Sequence, residues 1–221
     1  MSKSSRYNFD YVPREGKLYV DTSATELHEE LRGENDNMGS TLRQERQYMG
    51  KLERMFKKRK GEVATTPLIS VEIERQLDYY SQGINKYKNH QKFRKSTGHW
   101  RNEKSLNSEF GKLLKEKLKI GRRMANLLKR GYEESHEEPY NSEIKGINET
   151  MDDYLLWRKK EDGLSAPDRE LIIEALLQRG NAGIISNDRL LISTYIHSAM
   201  EFDFPNCFTC FPITRRTIMI G

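Results

Sequence analysis

Hydrophobic positions follow two rhythms along this chain. Short apolar runs between polar breaks predict strands, and apolar residues three or four apart predict helices. Lys17–Val20 (KLYV) is the first such run, and it enters Asp21. Thr25–Arg32 reads as a helix. Thr41–Lys60 reads as a long charged helix, with Leu42, Tyr48, Leu52, Met55 and Phe56 near helical spacing and Gly61 as its stop. Val63–Ile69 (VATTPLI) reads as a second strand that turns at Thr66-Pro67. A helix follows, with Ser70 as its N-cap and Val71, Ile73 and Leu77 as apolar positions. Glu109–Arg130 is helical, with Phe110, Leu113, Leu114, Leu118, Met124, Leu127 and Leu128 on its apolar side. Pro167–Arg179 is a helix that buries Leu171, Ile172, Ala175 and Leu176. Ala182–Ser186 (AGIIS) has the wholly apolar character of a strand in a buried parallel sheet. Asp188–Met200 is a further helix, and the tail from Cys207 holds two β-like pieces, Thr217–Ile220 being the stronger.

This alternation predicts an α/β fold, a mainly parallel central sheet with helices on both faces in three α/β/α layers. Residues 1–16 read as a polar lead-in. Residues 17–80 and 163–221 read as the α/β domain, and 81–162 as an inserted helical arm.

Charge sharpens the picture of the arm. Of the 221 residues, 32% are charged and 35% hydrophobic, with a net charge of +5. Residues 81–131 hold fifteen Lys and Arg against three Glu, so this segment alone exceeds the net charge of the whole chain. Residues 132–162 hold ten acidic side chains against four basic ones. In Lys86–Arg101, basic Lys86, Lys88, Lys92, Arg94, Lys95 and Arg101 alternate with Tyr87, Phe93, His99 and Trp100. Basic groups neutralise phosphates and aromatic rings stack on unpaired bases, so this stretch is the candidate RNA grip. The other readings are a solvated hairpin and a surface for a protein partner or a second copy of the chain.

No run approaches the ~20 apolar residues of a membrane span. The N-terminus lacks the apolar centre of a secretory signal, and two cysteines make no disulfide framework, so an intracellular setting is expected. Cys207 and Cys210 have half the ligands of a zinc site, with His197 the nearest further candidate; two inert thiols are the simpler reading. No Gly-rich phosphate loop or nucleophile elbow is present.

Four carboxylates stand where a parallel sheet gathers its functional edge, at strand ends and helix starts. Asp21 follows KLYV, Glu72 follows VATTPLI in the first turn of a helix, Asp168 opens PDRELIIEALL, and Asp188 lies just beyond AGII. Any one of them is explained by helix capping alone. Together they form a set suited to Mg²⁺ or Mn²⁺, which prefer carboxylate and water oxygens.

The local contexts of these acids resemble the motifs of the PIN-domain family. YVDTS (Tyr19–Ser23), TTPLISVEI (Thr65–Ile73), SAPDRELIIEAL (Ser165–Leu176) and GIISNDRLL (Gly183–Leu191) occur in that family's order. The resemblance implies a metal-dependent endoribonuclease with Asp21, Glu72, Asp168 and Asp188 holding one or two Mg²⁺ or Mn²⁺ ions. It implies Thr22, Ser186 and Asn187 as supporting residues, Glu74 as the neighbour competing with Glu72, and products ending in 5′-phosphate and 3′-hydroxyl. The long gap between Glu72 and Asp168 departs from small members of the family. The rival readings are a non-catalytic RNA- or protein-binding module on the same fold and a structure-specific DNA nuclease.

Overall fold

The computed structural model describes residues 16–25, 38–58, 63–95, 103–131, 140–159, 163–179, 181–204, 207–211 and 216–220. The chain is α/β. Strands β1 (Lys17–Val20), β2 (Val63–Ala64), β3 (Ala182–Ile185), β4 (Cys207–Phe211) and β5 (Arg216–Ile220) form one sheet in the order β2-β1-β3-β4-β5. The first three pairings are parallel, and β5 runs antiparallel to β4. Helices α1 (Met38–Lys58), α2 (Pro67–Lys95), α3 (Glu103–Gly131), α4 (Tyr140–Trp157), α5 (Ala166–Leu176) and α6 (Arg189–Glu201) surround it. None of the described helices is long and apolar enough to cross a membrane.

Strands β1 and β3 lie at the centre and are apolar because both of their faces are covered. Leu18, Tyr19, Val20, Ala182, Ile184 and Ile185 are all buried. Helix α5 packs on β1 and β3, and α6 on β4 and β5, while α4 lies against α5 and α6. Two acids of α4 reach across to basic residues of α5 and the turn after it, Asp152 to Arg169 at 2.5 Å and Glu143 to Arg179 at 3.4 Å. Helices α1, α2 and α3 form a second group that meets the sheet where α3 touches β2. Gly121 lets α2 and α3 approach closely, since a Cβ there would lie 2.5 Å from a terminal methyl of Leu77.

Several boundaries differ from the sequence expectation. The second strand is only Val63–Ala64, and Pro67, not Ser70, begins the helix. Thr66 caps that helix, its hydroxyl accepting from Ile69 N–H at 3.4 Å. Proline fits the first turn of a helix because its missing N–H has no partner there, which overrides the strand-like run PLI. Glu72 therefore lies beyond the first turn, where no acidic residue is found. The division at residue 80 falls inside the continuous α2, and the charged segment that follows supplies Leu113, Leu114, Ile120, Met124, Ile147, Met151 and Leu155 to the common core. Residues 26–32 of the expected early helix, and the lead-in 1–15, lie outside the described residues.

Gly16 positions the first strand. Its φ of +84° is open to glycine, and a Cβ would lie 2.7 Å from the carbonyl oxygen of Asn181, which receives the Lys17 N–H at 2.8 Å. Gly16→Ala is expected to destabilise the chain by about 1–3 kcal/mol, read as a lower midpoint in urea denaturation. An unchanged midpoint would show that this entry into β1 does not constrain the fold.

Candidate metal centre

The parallel pairing of β1 with β3 places Val20 beside Ile185, so the residues after both strands emerge together. Asp21 N–H donates to the Ile185 carbonyl at 3.1 Å, which extends the ladder by one step. The Asp21 carboxylate is buried, only 3% exposed. Three hydroxyls donate to it: Ser186 at 2.6 Å, Thr22 at 3.3 Å, and Ser23. Burial raises its pKa above the usual carboxylate range, these hydrogen bonds oppose the rise, and the charge of Asp188 adds to it.

The other acids arrive on helices. Asp188 is the N-cap of α6, with Oδ1 accepting from Leu190 N–H at 2.7 Å and Leu191 N–H at 3.1 Å. Its own N–H donates to the Ser186 hydroxyl at 2.9 Å, which ties it to Asp21 through one side chain. Asp168 stands in the first turn of α5 behind the N-cap Ser165, whose hydroxyl donates to Asp168 Oδ2 at 2.6 Å and receives its N–H at 3.3 Å. Glu72 faces the turn after β1, where its Oε2 lies 2.9 Å from the Thr22 hydroxyl and shares that group's one proton with Asp21. Glu74 is exposed on another face of α2.

The four carboxylates share one electrostatic field. Burial first, and then the charges of Asp21, Asp188 and Glu72, raise the Asp168 carboxyl to about 6 against the opposing Ser165 hydrogen bond. Among the described residues, no three acidic, His or Cys side chains are closed into a ready-made ion shell. The donor chemistry fits a hard cation. All the groups are oxygens, and the hydrogen bonds to Asp168, Asp188 and Glu72 engage a single oxygen of each.

Of the expected supporting residues, Thr22 bridges Asp21 and Glu72, and Ser186 bridges Asp21 and Asp188. Asn187 donates from its N–H to the Ser23 hydroxyl at 2.9 Å and from Nδ2 to the Ser23 carbonyl at 2.8 Å. Ser23 and Ser165 are functional neighbours that the sequence reading did not single out. The Ser-x-x-Asp spacing of Ser165 and Asp168 is a capping-box signal that could have found the second. The side chains of Lys86, Lys88, Lys92, Arg94 and Lys95, on the distal half of α2, and all of Trp100 and Arg101, lie outside the described residues. Cys207 is a free, buried thiol whose pKa burial pushes up; the side chain of Cys210 lies outside the described residues, and His197 stacks on Tyr154 with ring centroids 4.5 Å apart.

The raised pKa of Asp168 has a definite sign. Its protonated form is favoured by the fold, so the stability it contributes is full below pH 4 and is lost as pH rises through about 6. In chelator, Asp168→Asn should flatten the loss of stability between pH 4 and pH 6.5 by on the order of 1–2 kcal/mol. Denaturant titrations across that window measure it, and an identical pH slope in both proteins contradicts the assigned environment.

No protein-family profile, curated protein or solved structure matches this chain.

Proposed function

We propose that this chain is a metal-dependent endoribonuclease with a PIN-like three-layer fold. The observation that carries the reading is the shared field of Asp21, Glu72, Asp168 and Asp188 beside the ends of two adjacent parallel strands. A buried carboxylate tied through the Thr22 and Ser186 hydroxyls to two further acids is costly unless a proton or a cation meets its charge. Asp21, Asp168 and Asp188 would hold one or two Mg²⁺ or Mn²⁺ ions, with Glu72 as the fourth ligand. When bound, such an ion supplies positive charge to the phosphodiester and lowers the pKa of water. The chain's own part is positional. Ser186, Ser23 and Thr22 orient the Asp21 oxygens, Thr22 orients Glu72, and the start of α6 fixes Asp188.

A phosphodiester substrate is a polyanion, and a basic stretch of the described surface is in keeping with that reading. A groove of about 430 Å³ between α1 and α3 is lined by apolar Leu118 and Ile120 together with Lys115, Lys119, Arg122, Arg123 and Glu53. Glu53 pairs with Lys119 at 2.8 Å and Lys57 at 3.0 Å, so the surrounding charge stays positive. Lys115, Lys119 and Arg122 recur along one helix at rises of roughly 4.5–6 Å, which lines up basic groups for backbone phosphates.

One observation favours a second reading, a non-catalytic RNA- or protein-binding module: the acids are not closed into an ion shell among the described residues. Cleavage decides between them. Single-stranded RNA with Mn²⁺ should be cut by the natural chain, and Asp188→Asn should lower the rate by about 100-fold or more. Equal cleavage by the variant rejects the site, absence of cleavage by both favours the binding module, and cleavage of DNA alone moves the reading to a DNA nuclease. A second test concerns the groove. Replacing Lys115, Arg122 and Arg123 by Glu should weaken binding of single-stranded RNA in chelator and flatten the log–log salt slope by about 2. Fluorescence anisotropy measures this, and an unchanged slope places RNA elsewhere on the chain.

A further inference from the structure

Lys117 lies on α3 with 0% of its surface exposed. Its position on the helix is one the apolar pattern reserves for the core. Leu113 and Leu114 lie four and three residues before it, and Ile120, Gly121 and Met124 lie three, four and seven after, all buried. A lysine is among the side chains least often buried, because removing an ammonium from water costs several kcal/mol per ion. A leucine or methionine would fill the same position without that cost.

The ammonium is directed to the turn that carries the site. Lys117 Nζ donates to the Thr25 carbonyl at 2.7 Å, at the end of the Thr22–Ala24 3₁₀ turn that follows Asp21. Other buried groups converge on the same four residues. Tyr80 of α2 donates its hydroxyl to the Thr25 carbonyl at 3.0 Å, and Tyr48 of α1 donates to the Ala24 carbonyl at 2.5 Å. Gln76 donates to the Thr22 carbonyl at 3.5 Å and receives the Thr25 hydroxyl at 3.2 Å. The turn presents its carbonyls to three helices, while its Thr22 and Ser23 hydroxyls face Asp21 and Glu72.

We propose that Lys117 is a positioning residue for the acidic centre: it clamps the Thr22–Thr25 turn from behind, so that Thr22 and Ser23 hold Asp21 and Glu72 ready for a divalent cation. This rests on the metal-centre reading of those acids. Lys117 reaches the turn at the Thr25 carbonyl, and its effect on the site is exerted through that contact. An ammonium at this core position costs desolvation that an apolar residue would not, and on the clamp reading the hold on the turn is what the site gains in return.

The test compares Lys117→Met with the natural full-length chain in three measurements. They are thermal stability in chelator, the dissociation constant for Mn²⁺ by calorimetry, and hydrogen exchange of the Ala24 and Thr25 amides. Those two amides close the turn onto Asp21 and Thr22 at 3.1 and 2.9 Å. The clamp predicts an Mn²⁺ dissociation constant about tenfold higher, together with faster exchange at both amides, while global stability is equal or higher. Unchanged Mn²⁺ binding, whatever the thermal stability, makes Lys117 merely structural and overturns the proposal. Tighter Mn²⁺ binding makes its charge, not its hold on the turn, the effect, and also overturns it. If Lys117→Met does not fold, Tyr80→Phe removes a single hydroxyl from the same carbonyl. Weaker Mn²⁺ binding then supports the clamp, and unchanged binding rejects it. If the natural chain binds no Mn²⁺, the metal-centre reading fails, and amide exchange alone decides whether Lys117 clamps the turn.

Discussion

The burial of the Asp21 carboxylate where β1 ends organises the site. A carboxylate out of water is costly unless its charge is met by hydrogen bonds, a proton or a cation. Three hydroxyls, from Thr22, Ser23 and Ser186, answer part of that demand. Ser186 reaches Asp21 because β1 and β3 pair in parallel with Val20 beside Ile185. A shift of register by one residue would turn the strand's side chains to opposite faces and separate the two. The geometry of the centre thus depends on the apolar pairing of KLYV with AGII, and its electrostatics on what gathers at the end of that pair.

The helices then divide the labour. Helices α5 and α6 bring Asp168 and Asp188 on their first turn and N-cap, where helix dipoles favour negative charge. Helix α2 brings Glu72 from its side, through the Thr22 hydroxyl. Helices α1, α2 and α3 hold the back of the turn through Tyr48, Tyr80 and Lys117. The charged middle of the chain is therefore joined to the α/β core, and the helix that presents basic groups to solvent also sends one inward to the acidic end of β1.

Much of this was legible in the sequence because it is local. Strands Lys17–Val20 and Ala182–Ile185 are short apolar runs with polar ends, and the helices bearing Asp168 and Asp188 carry clear caps. The start of α2 was misread because PLI is apolar enough to pass for a strand, while Pro67 and the cap Thr66 decided for helix. The union of the basic segment with the core was hidden for a different reason. Net charge describes the solvent side of a helix, while packing depends on its buried stripe, and the two coexist in α3. Lys117 is the extreme case, since a lysine in a lysine-rich stretch carries no sign of being buried. Its contact with Thr25 spans 92 residues, beyond anything that periodicity can report.

The most direct measurement of the central claim is a crystal structure of the chain soaked in Mn²⁺, with the metal located by anomalous scattering. The account predicts a peak bounded by Asp21, Asp168 and Asp188, with Glu72 on its rim. A peak elsewhere, or an acidic centre that stays without metal at millimolar Mn²⁺ and neutral pH, would contradict it.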